Sequence, residues 1–163
     1  MRRVIIVILG LALMGFIGTC IYFVAGVSST IPPIKKYVFF GNVNSFLLGM
    51  QKYAAADSEI LFKITDTTGN KQNGYGIYMN LEIRNSNSDI EYNLKCGEKD
   101  NEGIRSTIVK LIGIHDKNNY KLGGYGIEGI GVRQMVSDFE TGFLVKLKEK
   151  EGVAVKPYID NHR

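Results

Sequence analysis

His115 and Asp116 are the adjacent pair with acid–base character in this chain of 163 residues. An imidazole steered by a carboxylate is the working core of general-base and nucleophilic catalysis. The remaining parts are missing: no GxSxG turn presents a nucleophile. Successive residues of a strand also point to opposite faces, so Asp116 can orient the His115 ring only where the strand has ended. An aspartate at that position suits an Asx turn instead. The other histidine, His162, belongs to the polar tail. No catalytic residue is expected.

Gly124-Tyr125-Gly126-Ile127-Glu128-Gly129 spells GxGxxG. A dinucleotide site needs a strand leading into such glycines and a helix leaving them, so that phosphate meets free N–H groups. Here a polar turn precedes the glycines and Ile130-Gly131-Val132 follows as a poor helix start. A glycine-rich strand, bulged or closely approached by another backbone, accounts for the pattern better. No cofactor is expected. Neither Cys20 nor Cys96 belongs to a CxxC or a Cys/His cluster of zinc spacing. Cys96 shares its parity with Ile90, Tyr92 and Leu94 and reads as a small buried residue. Glu98 to Gly103 holds only fragments of a calcium loop, so no metal site is expected either. What remains is a candidate binding surface built from Tyr75, Tyr78 and Tyr125 with His115 and Asp116, since tyrosine offers an apolar body and a polar tip.

These residues hang from Val4 to Val27, an uncharged apolar run. A helix of that length reaches about 36 Å, enough for a hydrocarbon core of about 30 Å. Val4, Ile5, Leu9, Leu13, Phe16, Ile21, Phe23 and Val27 would face lipid as a membrane anchor. A cleavable signal has a shorter apolar stretch and small residues at the cut, whereas Phe23 stands two residues before Ala25. Ile17-Gly18-Thr19-Cys20 faintly resembles a bacterial lipobox, but the apolar run continues beyond it. Arg2 and Arg3 favour a cytoplasmic N-terminus, with the rest outside the cytosol. Membrane lipid is thus one expected partner.

The expected division is a tip and anchor over 1–28, a linker over 29–36 stiffened by Pro32 and Pro33, a β-rich domain over 37–157 and a polar tail over 158–163. The 20 basic side chains include Arg2 and Arg3, so 18 basic stand against 16 acidic in the remainder. That balance argues against nucleic acid, whose binders carry a clustered basic face. Another membrane or envelope protein is the better expectation, for a single-pass, non-enzymatic interaction module. A small-ligand or envelope-polymer binder is the alternative, and a small hydrolase centred on His115 a lesser one.

Asn44 is expected to cap a helix with Phe46, Leu47, Met50, Tyr53 and Ala54 on one side. From Glu59 the apolar period becomes two, through Ile60–Ile64, Tyr75–Ile83 and Ile90–Cys96, with Gly-, Asn- and Asp-rich turns between. An internal echo reads Leu111–Asp116 with Lys121 and Gly124–Ile127 against Leu61–Asp66 with Lys71 and Gly74–Ile77, eight identities in seventeen positions. It suggests a second hairpin. Ile130 and Val132 then suggest a strand, Asp138–Gly142 a turn, and Phe143, Val145 and Leu147 another strand. The expected fold is mainly β: a small antiparallel β-sandwich or partly open barrel plus one short soluble helix, with α+β as the alternative.

Overall fold

A computed structural model describes residues 32–70, 74–86, 88–101 and 104–159. The expected anchor residues, from Val4 to Val27, lie outside them. Among the described residues no helix is long and apolar enough to cross a membrane.

Among the described residues seven strands form one antiparallel sheet: β1 (Lys35–Phe39), β2 (Ile60–Asn70), β3 (Gly74–Arg84), β4 (Asp89–Asn101), β5 (Ile104–Asp116), β6 (Gly123–Gly124) and β7 (Val155–Pro157). Their order is β2-β3-β4-β5-β1-β7, with β6 pairing β5 beyond the start of β1. The sheet is open, so the sandwich and barrel are corrected to α+β. An antiparallel sheet needs cover on only one face, and helices supply it.

The first is α1 (Val43–Ala56), which buries Val43, Phe46, Leu47, Met50 and Tyr53. Its cap is Asn42 rather than Asn44: Asn42 is extended, and its side chain accepts from the Ser45 N–H at 2.8 Å. Gly49 is there for close packing, since a Cβ would come within 2.3 Å of Val153 Cγ2.

The second cover corrects the strands expected at Ile130–Val132 and Phe143–Leu147 and the turn between them. Residues 132 to 151 are helical throughout, as α2 (Val132–Asp138), a π-helical turn (Phe139–Leu144) and α3 (Val145–Glu151). Val132, Met135, Val136, Phe139, Phe143 and Leu147 are buried at spacings of three and four, whereas Val145 is exposed. Phe139 stacks on Phe143 at 5.4 Å and meets Tyr92 at 4.9 Å and Tyr37 at 5.8 Å. That aromatic burial outweighs the weak helix propensity of Asp138, Thr141 and Gly142. Lys35 closes the helix onto β1 through Glu140 at 2.6 Å.

The hairpin turns are shorter than expected, because β2 and β4 run through their polar ends to Asn70 and Asn101. The internal echo is a likeness of composition, not of register. Ile64 pairs with Met79, but its counterpart Ile114 pairs with Gly124, and the returning strand of the second copy has only two residues.

Candidate functional site on the open face of the sheet

The face away from the helices is set by strand parity. Across β2, β3, β4 and β5 it presents Leu61, Glu82, Glu91 and His115 in one row, and Lys63, Asn80, Asn93 and Gly113 in the next. A third row runs Asp66, Tyr78, Lys95, Lys110 and on to Lys36 of β1.

Two β-bulges interrupt these ladders. Thr65 is the extra residue between the pairs Ile64–Met79 and Asp66–Tyr78, and Ile112 the extra one between Gly113–Asn93 and Leu111–Leu94. A bulge bends its strand and sharpens the local twist. Both extra residues border one concavity of about 300 Å³, with Tyr78, Asn80, Glu91, Asn93, His115 and Tyr125 around it.

Tyr125 arrives through the glycines. Gly123 has φ of +106°, and a Cβ there would stand 2.2 Å from the Ile114 carbonyl oxygen. Only glycine lets β6 lie this close to β5. The Tyr125 ring then folds over Gly113 and meets the His115 ring edge-on, with centroids 5.0 Å apart. The loop's backbone is engaged in itself: Gly123 N–H donates to Ile130, Gly129 N–H to Gly126 and Val132 N–H to Gly129. A helix does follow these glycines, contrary to the sequence reading, beginning at Val132 after Gly131 in the left-handed region at φ +76°.

Polar groups converge on the hollow. Asn80 Nδ2 donates to Glu91 Oε1 at 3.3 Å, and Lys95 Nζ donates to the Tyr78 hydroxyl at 2.6 Å while lying 4.5 Å from that ring's centre. Lys117 reaches both Glu82 and Glu91, the latter at 3.6 Å, and Arg84 Nε adds a bond to Glu82 at 2.7 Å. Those hydrogen bonds, from Lys117 first and Arg84 second, hold the Glu82 carboxyl below the usual range. His115 Nε2 is enclosed and has no hydrogen-bond partner among the described residues. An enclosed ring nitrogen without a partner is uncommon and calls for an explanation.

Of the five residues singled out from sequence, Tyr78, His115 and Tyr125 therefore meet at one hollow. Asp116 does not. It lies on the helix side opposite Ile90, where its Oδ1 accepts from the N–H groups of Asn118 at 2.8 Å and Asn119 at 3.2 Å, an Asx turn. Tyr75 falls opposite Gly69 in the β2–β3 ladder, and its side chain lies outside the described residues. Thr65, Asn80, Glu91, Asn93 and Ile112 were not foreseen; the signal for the two asparagines was their shared outward parity with Tyr78 and Glu91.

Cys96 is buried among Ile77 and Val109, and desolvation pushes its thiol up to about 12. Among the described residues no group of three or more His, Cys, Asp or Glu side chains could hold a metal ion.

Compared with known protein families, with characterised proteins and with solved structures, the chain matches none.

Proposed function

We propose that this chain is a single-pass membrane protein, N-terminus in the cytoplasm, whose outer sheet domain is a non-enzymatic binding module of a membrane or envelope complex. The anchor rests on the uncharged run from Val4 to Val27 behind Arg2 and Arg3, and the observation that supports a binding module is the asymmetry of the sheet. One face is packed beneath α1 and residues 132 to 151, while among the described residues the other carries no helix, is crossed only by the Tyr125 loop, and is hollowed by two bulges around convergent polar side chains. Tyrosine is enriched at interfaces, and a hollow with a few convergent polar groups is suited to recognition. Photo-crosslinking in cells tests it. A crosslinker at Tyr78 or Lys63 should trap a partner protein that one at Leu48 of α1 does not; equal yields from both sites, or none from the sheet, overturn the reading.

A second reading has its own observation. The unpartnered His115 Nε2 beside a hollow of about 300 Å³ favours a small polar ligand. Titration of the full chain in detergent with candidate ligands, read at the His115 imidazole resonances, tests it; resonances that never move argue against it.

A further inference from the structure

The end of the sheet where the chain comes in carries a concentration of exposed apolar side chains. Ile34 N–H donates to the Leu111 carbonyl, and β6 pairs with β5 at Ile114, so β1 and β6 follow one another along the same edge of β5. At ~3.3 Å per residue the point of arrival and the glycine loop are about 10 Å apart. From that loop Tyr120, Ile127 and Ile130 project with 90%, 38% and 67% of their surface exposed. Ile159, 78% exposed, lies at the same end, because β7 runs antiparallel to β1 and the Tyr158 N–H donates to the Lys36 carbonyl. Lone exposed apolar residues are ordinary, but several at one end of a domain make that end the natural place to look for a contact surface.

The short chain leading in from the proposed anchor favours a membrane as the occupant of that surface. Ile34 stands seven residues beyond Val27, the end of the apolar run. Seven residues reach about 25 Å at most. Tyrosine beside lysine, as in Tyr120-Lys121, is the composition that settles at the headgroup level of a bilayer, where neighbouring apolar side chains can enter the acyl boundary. We infer that the loop between β5 and α2, with Ile159, rests in the headgroup layer of the membrane that holds the anchor; the inference depends on the anchor reading proposed above.

The chain has no tryptophan, so single replacements make clean reporters. The full chain is reconstituted in phosphatidylcholine–phosphatidylglycerol vesicles as Tyr120→Trp, Ile130→Trp, Leu48→Trp or Phe16→Trp, with lipid brominated near the headgroup or deep in the acyl chain. Tyr120 and Ile130 are too exposed for their replacement to unfold the domain. Expected is loss of Tyr120→Trp and Ile130→Trp emission with the shallow quencher, loss of Phe16→Trp emission with the deep one, and unchanged Leu48→Trp emission. If Phe16→Trp is quenched and both loop reporters stay bright, the loop inference falls and the anchor stands. If Phe16→Trp also stays bright, the anchor fails and takes the inference with it. Quenching of Leu48→Trp equal to that of the loop reporters overturns it as well, as unselective adsorption.

Discussion

The Tyr125 ring occupies the space that a side chain at Gly113 would fill: a Cβ there would lie 2.9 Å from Tyr125 Cε1 and 3.3 Å from Asn93 Nδ2. The ring is exposed on its outer side, so it can swing away where a packed core group could not. Gly113→Val should therefore change stability by no more than about 1 kcal/mol, since strand propensity offsets the displaced contact. The consequence should appear locally. The His115 imidazole protons lose the ring-current shift of an aromatic edge 5.0 Å away, and NMR of the full chain reads that loss.

The helical course of residues 132 to 151 makes opposite demands on neighbours that a strand would treat alike. Phe143→Ala, stacked on Phe139 and packed against Tyr53, should destabilise by about 3–5 kcal/mol. Val145→Ala, exposed on α3, should stay within about 0.5 kcal/mol. Denaturant midpoints of the two variants check this, and comparable losses would return the segment to the sheet.

Gly49 and Val153 should be coupled. Gly49→Ala gains about 1 kcal/mol of helix propensity but drives a Cβ into the stiff, β-branched Val153. Overpacking of that kind costs about 1–3 kcal/mol. The single variant should lose stability, and Val153→Ala should recover part of that loss in the double variant, a non-additivity measured by a double-mutant cycle.

Two pH limits follow from the titrating groups. Glu82 has a lowered pKa from Lys117 and Arg84, so the folded chain binds its proton less readily than the unfolded one. Its contribution is complete above the ordinary carboxylate range near 4.3 and is lost as pH falls through the folded value. Glu82→Gln should flatten the acid limb of stability. At the other limit Cys96 is raised by burial, Tyr92 by burial and Asp138, and Tyr37 by burial and Glu140. The folded chain keeps these protons after the unfolded chain has released them, so stability should fall from about pH 9 upward. Cys96→Ala should delay the onset of that fall in thermal unfolding followed against pH. The native Cys96 thiol should likewise resist alkylating reagents at neutral pH.

Strands β3 and β4 were legible because their apolar residues alternate, from Ile77 to Ile83 and from Ile90 to Cys96, whereas the apolar residues of β5 fit a helix as well as a strand. The π turn was not. Phe143, Val145 and Leu147 alternate as a strand would, and Asp138, Thr141 and Gly142 read as turn residues. Only the longer stripe from Val132 through Val136 and Phe139 to Leu147 carries the helical period. The site was half legible for a related reason. Tyr78, His115 and Tyr125 could be singled out by type, but a single extra residue at Thr65 and another at Ile112 decide which neighbours share their hollow, and bulges leave little trace in a pattern of alternation. Asp116 and His115 looked like a pair only because they are adjacent in sequence.

The two outermost strands are unlike one another, and neither makes a good template. β7 has three residues and ends in Pro157, which has no N–H to offer. β2 is long, but Lys63 and Asp66 charge it and the extra Thr65 bends it midway. A further chain arriving at either border finds no straight, neutral row of N–H and C=O groups to copy. Stacking of this sheet into fibrils is thereby discouraged, even where the protein is crowded.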